Sequence, residues 1–145
     1  MPTATRSTAL AAELRHATMR LRRQLVSQRH PDNDLSIPAM VVLGALFRHG
    51  EQTIGALAAF EKVQPPTMTR TVNCLEAEGL VRRRPHDTDG RQVLVCLTDA
   101  GRDKVLADRD RRDAWLARRL DALSADERDL LARATGLLQR LTDDD

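Results

Sequence analysis

The sequence contains few aromatic residues and few cysteines, and both shortages exclude classes of function. Aromatic residues make up 2% of the 145 residues and tyrosine is absent, which argues against an aromatic platform for stacking single-stranded bases. The two cysteines, Cys74 and Cys96, have the spacing of neither a zinc knuckle nor a C-x-x-C redox pair. We expect both to be small buried residues, with no disulfide in a cytoplasmic protein.

Metal ligands, membrane spans and catalytic motifs are also missing. The four histidines are scattered and form no pair at zinc-ligand spacing: His16, His30, His49 and His86. No apolar run approaches the roughly 18 residues of a membrane span, and residues 1–12 do not resemble a signal peptide. No phosphate loop or nucleophile elbow is present. We therefore expect a cytoplasmic protein that is not an enzyme, has no cofactor or metal and has no membrane partner.

The charge of the chain is balanced, but its cations are nearly all arginine. The net charge is +2, and Lys62 and Lys104 are the only lysines. Arginine suits phosphates and guanine edges, yet the bias has an equally simple origin in a GC-rich genome and carries little weight. Hydrophobic residues at 41% and charged residues at 30% indicate a folded domain with a core.

Hydrophobic periodicity and capping residues predict a mainly α protein with one small β-hairpin. Helices are predicted over residues 8–28, 36–49, 54–60, 64–78 and 98–123, with a last helix after Ser124, and strands over 80–85 and 92–97. Ser36, Thr53, Thr98 and Ser124 are the predicted N-caps. The helix after Ser36 is expected to bury Val41, Leu43 and either Leu46 or Phe47. Two central helices and a following hairpin indicate a winged helix-turn-helix.

The fourth predicted helix has the polar face of a DNA-reading helix. Met68, Val72 and Leu75 fall on one narrow arc and should face the core. The opposite arc and its flanks carry small and polar residues: Pro66, Thr67, Thr69, Arg70, Asn73 and Ala77. Arginine can read guanine, asparagine adenine and a threonine methyl thymine. Taken alone, the helix is equally well explained as an ordinary amphipathic helix.

The hairpin concentrates positive charge beside this helix. At least one of the three arginines at 82–84 must point outward, and we assign Arg84 to DNA. Arg91, near the turn, could enter a minor groove, where negative potential is concentrated. Asp89 could hold Arg91 by a charge-assisted hydrogen bond. The alternative is a solvated hairpin with a local ion pair worth under ~1 kcal/mol.

Residues 64–101 resemble the MarR family of bacterial regulators. Four pieces in order carry the resemblance: Thr69-Arg70, the exit Leu75-Glu76-Ala77-Glu78-Gly79-Leu80-Val81, the turn Asp89-Gly90-Arg91, and Leu97-Thr98-Asp99-Ala100-Gly101. The resemblance implies an obligate homodimer that binds palindromic double-stranded DNA and represses transcription. It implies major-groove or phosphate contacts for Thr67, Thr69 and Arg70, and a minor-groove contact for Arg91 oriented by Asp89. His86 and Gly90 depart from the usual wing.

The terminal helices carry more leucines than a three-helix lobe can cover. We therefore expect residues 1–35 and 99–145 to form dimerisation helices and residues 36–98 to form the DNA-binding lobe. A two-fold dimer would place half-sites about one helical turn, roughly 10 bp, apart. The alternative is that these leucines close a monomeric core.

The family resemblance also implies a small aromatic effector held near the dimerisation helices. His16, Arg20 and Phe47 are the candidate ligand-binding residues. Peroxide sensing is not expected, because the first helices contain no cysteine. Two other functions remain open. One is a winged-helix protein-interaction module without DNA binding, which large apolar anchors on the exposed helix would favour. The other is an enzyme, which turnover without DNA binding would reveal.

Overall fold

The computed structural model describes residues 3–143, with side chains from residue 6 onward. Six helices and three strands follow one another in these residues: α1 (Thr3–Val26), α2 (Ile37–His49), β1 (Gln52–Thr53), α3 (Ile54–Phe60), α4 (Pro65–Ala77), β2 (Val81–Pro85), β3 (Val93–Leu97), α5 (Asp99–Asp121) and α6 (Ala125–Arg140). The strands form one antiparallel sheet in the order β1-β3-β2. The predicted mainly α fold with a β-hairpin wing is confirmed.

The chain divides into two compact units. Residues up to Gln28 join those from Arg111 onward, and Arg29–Asp110 form the second unit, here called the winged lobe. This division differs from the expected boundaries at residues 35 and 99. The loop after α1 and the first half of α5 belong to the winged lobe, and buried hydrogen bonds connect this loop to α5.

The carboxylate of Asp108 makes that connection. It is 1% exposed and accepts hydrogen bonds from Asn33 Nδ2 at 2.7 Å and from the backbone N–H of His30 at 3.3 Å. Asn33 Oδ1 in turn accepts from the backbone N–H of Leu35. Because buried polar groups cost about 1–3 kcal/mol when left without partners, these bonds fix the loop before α2 against α5.

Side-chain caps set the start of four helices as the sequence predicts, and at α5 Thr98 Oγ1 accepts from Gly101 N at 3.1 Å. Ser36 Oγ accepts from Ala39 N at 3.3 Å, Thr53 Oγ1 from Ala56 N at 3.0 Å, and Ser124 Oγ from Glu127 N at 3.1 Å. Each bond satisfies an amide that has no partner inside its helix. The expected start of α1 at residue 8 is wrong, since its backbone is helical from Thr3.

The core of the winged lobe is aliphatic and is built from α2, α3, α4 and the sheet. The buried residues of α2 are Ala39, Val42, Leu43, Ala45 and Leu46. The prediction that Val41 is buried is wrong: Val41 and Phe47 are half-buried, and Val42 takes the central place. The helix is so uniformly apolar that the sequence alone could not fix its rotation about its axis.

Strand β1 was not predicted. Its two residues pair with β3, with Gln52 opposite Val95 and Thr53 opposite Leu94. Two residues are too few to show the alternation by which a strand is recognised. This short edge joins the segment before α3 to the hairpin that follows α4, so the wing is attached to both sides of the helix-turn-helix.

The junction between α4, β2 and α5 leaves no room for a side chain at Gly101. A Cβ atom there would lie 2.1 Å from the carbonyl oxygen of Leu80. That oxygen accepts a hydrogen bond from Thr98 N at 3.1 Å, and the Thr98 hydroxyl donates to Gly79 O at 2.7 Å. The start of α5 is therefore anchored to the chain that leaves α4.

The other unit buries little of its own apolar surface. Among its described residues Trp115 is the only buried hydrophobic one, and Arg119 lies over its ring at 3.7 Å from the centroid. Helix α6 buries no residue, and the leucines on it and directly after it are 42% to 71% exposed: Leu130, Leu131, Leu137, Leu138 and Leu141. No helix in the described part of the chain is long and apolar enough to cross a membrane.

Candidate nucleic-acid interface

Helix α4 has the two faces that the sequence predicts. Met68, Val72 and Leu75 are at most 3% exposed and anchor the helix in the core of the lobe. The residues on the outer face are exposed: Pro66, Thr67, Arg70, Asn73 and Ala77. The two prolines at the helix start sacrifice no helical hydrogen bond, because first-turn amides have no partner within the helix. The outer face is therefore free of large side chains other than Arg70.

Thr69 lies at the edge of this face and is half-buried. Its hydroxyl donates to the carbonyl oxygen of Pro65 at 3.0 Å. The proton of the hydroxyl is thus occupied, and Thr69 offers an incoming ligand its methyl group and the lone pairs of its oxygen.

Strand β2 contacts α4 through Arg83. Its Nη1 donates to Glu76 Oε1 at 2.7 Å, and its Nη2 donates to Asn73 Oδ1 at 2.6 Å. A fork of two donors on one planar group fixes both acceptors at once. The wing strand therefore holds one edge of the predicted reading helix, a contact that the sequence analysis did not anticipate.

Arg84, predicted to contact DNA, lies between two carboxylates. Its Nε donates to Glu51 Oε2 at 2.9 Å and its Nη1 to Asp87 Oδ1 at 2.9 Å. The hydrogen bond from Arg84 lowers the pKa of Glu51 and, with that to Asp87, raises the pKa of Arg84. This cluster connects the segment after α2, the strand β2 and the wing turn.

The wing turn is organised by His86. Its Nδ1 accepts the backbone N–H groups of Thr88 and Asp89, each at 3.2 Å. His86 thus acts as an aspartate does in an Asx turn, where a side chain accepts from the backbone just beyond it.

Asp89 and Arg91 lie in the same turn, and the side chain of Asp89 contacts the backbone of Arg91 rather than its side chain. Asp89 Oδ1 accepts from the backbone N–H of Arg91 at 3.1 Å, and the expected bond to the guanidinium is not formed. Arg91 is exposed. The carboxylate shapes the turn and leaves the Arg91 side chain extended into solvent, where it is available to a ligand.

The two cysteines differ in exposure. The expectation that both are buried is wrong for Cys74, which is exposed on α4 because it lies outside the arc of Met68, Val72 and Leu75. Cys96 is buried on β3. Burial raises the pKa of the Cys96 thiol, and the neighbouring Glu51 adds to this effect.

The three candidate effector residues fall in different units. His16 and Arg20 are exposed on α1, in the unit that contains the terminal helices. Phe47 belongs to the winged lobe, where the guanidinium carbons of Arg109 and Arg102 lie 4.4 Å and 5.4 Å from its ring centroid. Phe47 is thus an aromatic ring flanked by two cations of α5.

Known proteins share both the sequence and the fold. A sequence model of the MarR family matches residues 35–93. An uncharacterized HTH-type transcriptional regulator of Mycobacterium leprae is 44% identical over 135 residues, which cover 93% of this chain and 94% of the relative. The chain belongs to the MarR family. The HTH-type transcriptional repressor MdtR of Bacillus subtilis is 30% identical over 109 residues, covering 73% of this chain and 68% of the relative.

The solved structures place this MarR protein among winged-helix regulators. The structure of a Pseudomonas aeruginosa protein assigned as a transcriptional regulator matches this chain with a TM-score of 0.87 at 34% identity, and 99% of each chain is covered. The chain is thus a DNA-binding transcriptional regulator with a winged helix-turn-helix. Family and relatives indicate transcription regulation rather than catalysis.

Proposed function

We propose that this MarR protein is a repressor that binds palindromic duplex DNA as a homodimer. In this proposal α4 enters the major groove through Pro66, Thr67, Thr69, Arg70 and Asn73. The wing, residues 81–97, contacts the adjacent backbone and minor groove through Arg91, with Asp89 in the same turn and Arg84 on the strand that leads into it. The observation that carries the proposal is the exposed outer face of α4, which holds small and polar residues and one free arginine.

The exposed leucines of the terminal helices support the homodimer. Leu10, Leu14 and Met19 on α1, the four leucines of α6 and Leu141 just after it form apolar surface that this chain leaves uncovered. Monomeric soluble proteins rarely expose contiguous apolar patches of this kind. Because most soluble oligomers are two-fold dimers of identical chains, a second copy is the partner that we propose. Its symmetry matches a palindrome with half-sites about 10 bp apart.

Repression and effector control are the finer parts of the proposal. MdtR, a relative at 30% identity, is named a repressor. The effector would be a small aromatic compound, and a ring flanked by arginines, as Phe47 is, suits an aromatic or anionic ligand. His16 and Arg20 remain candidates for the same role. A regulator of this kind acts in the cytoplasm, where the chromosome lies.

A gel-shift titration with the DNA upstream of the protein's own gene tests the proposal. Binding should weaken steeply with salt, because each neutralised phosphate contributes about −0.9 to the slope of log K against log salt. Arg70→Ala and Arg91→Ala should each weaken binding and leave the molecular mass in solution unchanged.

Arg118→Ala is the matched control. It removes the same charge from an exposed position of α5 in the other unit and should bind like the parent. Absence of binding by the parent protein on upstream or random duplexes would contradict the function. Normal binding by both the Arg70 and the Arg91 variants would contradict the proposed contacts.

A further inference from the structure

Asn73 is the one residue of the proposed reading face whose side chain is held by the wing. The Nη2 atom of Arg83 lies 2.6 Å from Asn73 Oδ1. An asparagine amide has a donor end and an acceptor end, and a guanidinium can only donate. The oxygen must therefore face Arg83, and the amide nitrogen with its two hydrogens is left free.

The second donor of Arg83 fixes the geometry of this contact. Its Nη1 binds Glu76 Oε1 at 2.7 Å, one helical turn beyond Asn73. Arg83 is 28% exposed and Glu76 40% exposed, so the pair is only partly screened by solvent. Held by Glu76 on one side, the guanidinium keeps its other donor directed at Asn73, and the amide cannot rotate without losing that hydrogen bond.

We propose that Arg83 is a positioning residue that makes Asn73 a hydrogen-bond donor in the major groove. This inference rests on the proposed DNA-reading role of α4. A free asparagine pairs with adenine by accepting from N6 and donating to N7. Here Arg83 takes one of the two lone pairs of the acceptor oxygen, and the positive guanidinium beside it repels the amino hydrogens of adenine.

A donor at this position selects bases with a keto oxygen. In the major groove guanine presents two adjacent acceptors, O6 and N7, and thymine presents O4, whereas adenine presents an amino group beside its N7 and cytosine presents only an amino group. Asn73 therefore favours guanine or thymine over adenine or cytosine at one position of each half-site. The residue identity alone predicts adenine, so the structure reverses the expected preference.

Selection of bound sequences from random duplex DNA tests the inference, with the full-length chain and its variants. The position read by Asn73 is the one whose preference disappears in Asn73→Ala. In the parent we expect guanine or thymine there, favoured about tenfold. Arg83→Ala should abolish that preference or turn it toward adenine, and leave the other positions unchanged.

Two further variants separate positioning from loss of charge or stability. Arg82→Ala removes the same charge from the neighbouring, exposed position of β2. It should lower the affinity for all sequences and leave the base preference at each position of the site unchanged. Arg83→Lys keeps the charge but not the fork, and should weaken the preference at the Asn73 position only in part. A merely structural role of Arg83 would reduce binding to all sequences alike, and that result overturns the inference.

The outcomes also separate this inference from the proposed function. If the parent enriches no sequence, the proposed function fails, and the inference fails with it. If the parent enriches a motif in which the Asn73-dependent position is adenine, or in which no position depends on Asn73 or Arg83, the inference alone is overturned.

Discussion

Replacement of Gly101 by alanine should disrupt the junction that connects α4 to α5. The added Cβ would lie 2.1 Å from Leu80 O and 2.8 Å from Leu97 Cδ1, whereas ordinary contacts begin at 3.4 Å. The obstacle is backbone, so it cannot rotate away as a flexible side chain would. The carbonyl group of Leu80 must move away by about 1 Å, and this displacement weakens the hydrogen bond that it accepts from Thr98 N.

The expected loss of stability is about 3 kcal/mol. Overpacking costs about 1–3 kcal/mol and a weakened hydrogen bond about 1 kcal/mol, and the higher helix propensity of alanine offsets about 1 kcal/mol at most. For a chain of this size that loss lowers the melting temperature by roughly 6–12 °C. Thermal unfolding followed by circular dichroism, at one fixed protein concentration, measures it.

Gly55→Ala is the control for this prediction. Gly55 lies in α3 of the same lobe, and the nearest atom to its added Cβ is Thr53 Oγ1 at 4.0 Å. Its melting temperature should stay within a few degrees of the parent, since at most about 1 kcal/mol of helix propensity is at stake. If Gly101→Ala melts like Gly55→Ala, the close approach of α5 to Leu80 is refuted.

Three further predictions concern the wing, the thiols and the dimer. Arg84 lowers the pKa of Glu51 from its ordinary 4.5, so the folded state gains stability above that pH and loses it as the pH falls. The stability of Glu51→Gln should therefore fall less steeply below about pH 4.5 than that of the parent. An unchanged dependence of stability on pH would contradict the ion pair. Cys74 should react with iodoacetamide in the native protein much faster than Cys96, whose thiol is buried with a raised pKa. Mass spectrometry of the peptides measures both rates, and faster labelling of Cys96 would contradict the prediction. Leu137→Asp should dissociate the proposed dimer without unfolding the chain, because Leu137 is 54% exposed in the single chain. An unchanged mass in sedimentation would place the interface elsewhere.

Local sequence patterns predicted the elements of the candidate site well. Helix α4 shows a clear apolar arc at helical spacing, and its start and end are marked by Gln64-Pro65-Pro66 and Gly79, whose φ of 73° suits glycine. The hairpin has alternating residues and a polar turn. Such patterns extend over only a few residues, so they can be recognised in the sequence without knowledge of the tertiary structure.

The contacts between these elements could not be predicted in the same way. Glu51 and Arg84 are 33 residues apart, and nothing local pairs them. The position of Arg83 in the strand shows that its side chain points to the opposite face from those of its neighbours. It does not show that Asn73 and Glu76 lie within hydrogen-bonding distance of the Arg83 guanidinium. His86 was noticed as a departure from the family pattern, yet its acceptor role depends on the backbone path of the turn.

The central claim is that two copies of α4 and the wing occupy neighbouring grooves of one duplex. Hydroxyl-radical footprinting of a selected DNA site tests it most directly. We expect two protected segments related by a dyad, with centres about 10 bp apart, and loss of the outer protection in Arg91→Ala. A single protected segment without a dyad, unchanged by the Arg91 and Arg70 variants, would contradict the account.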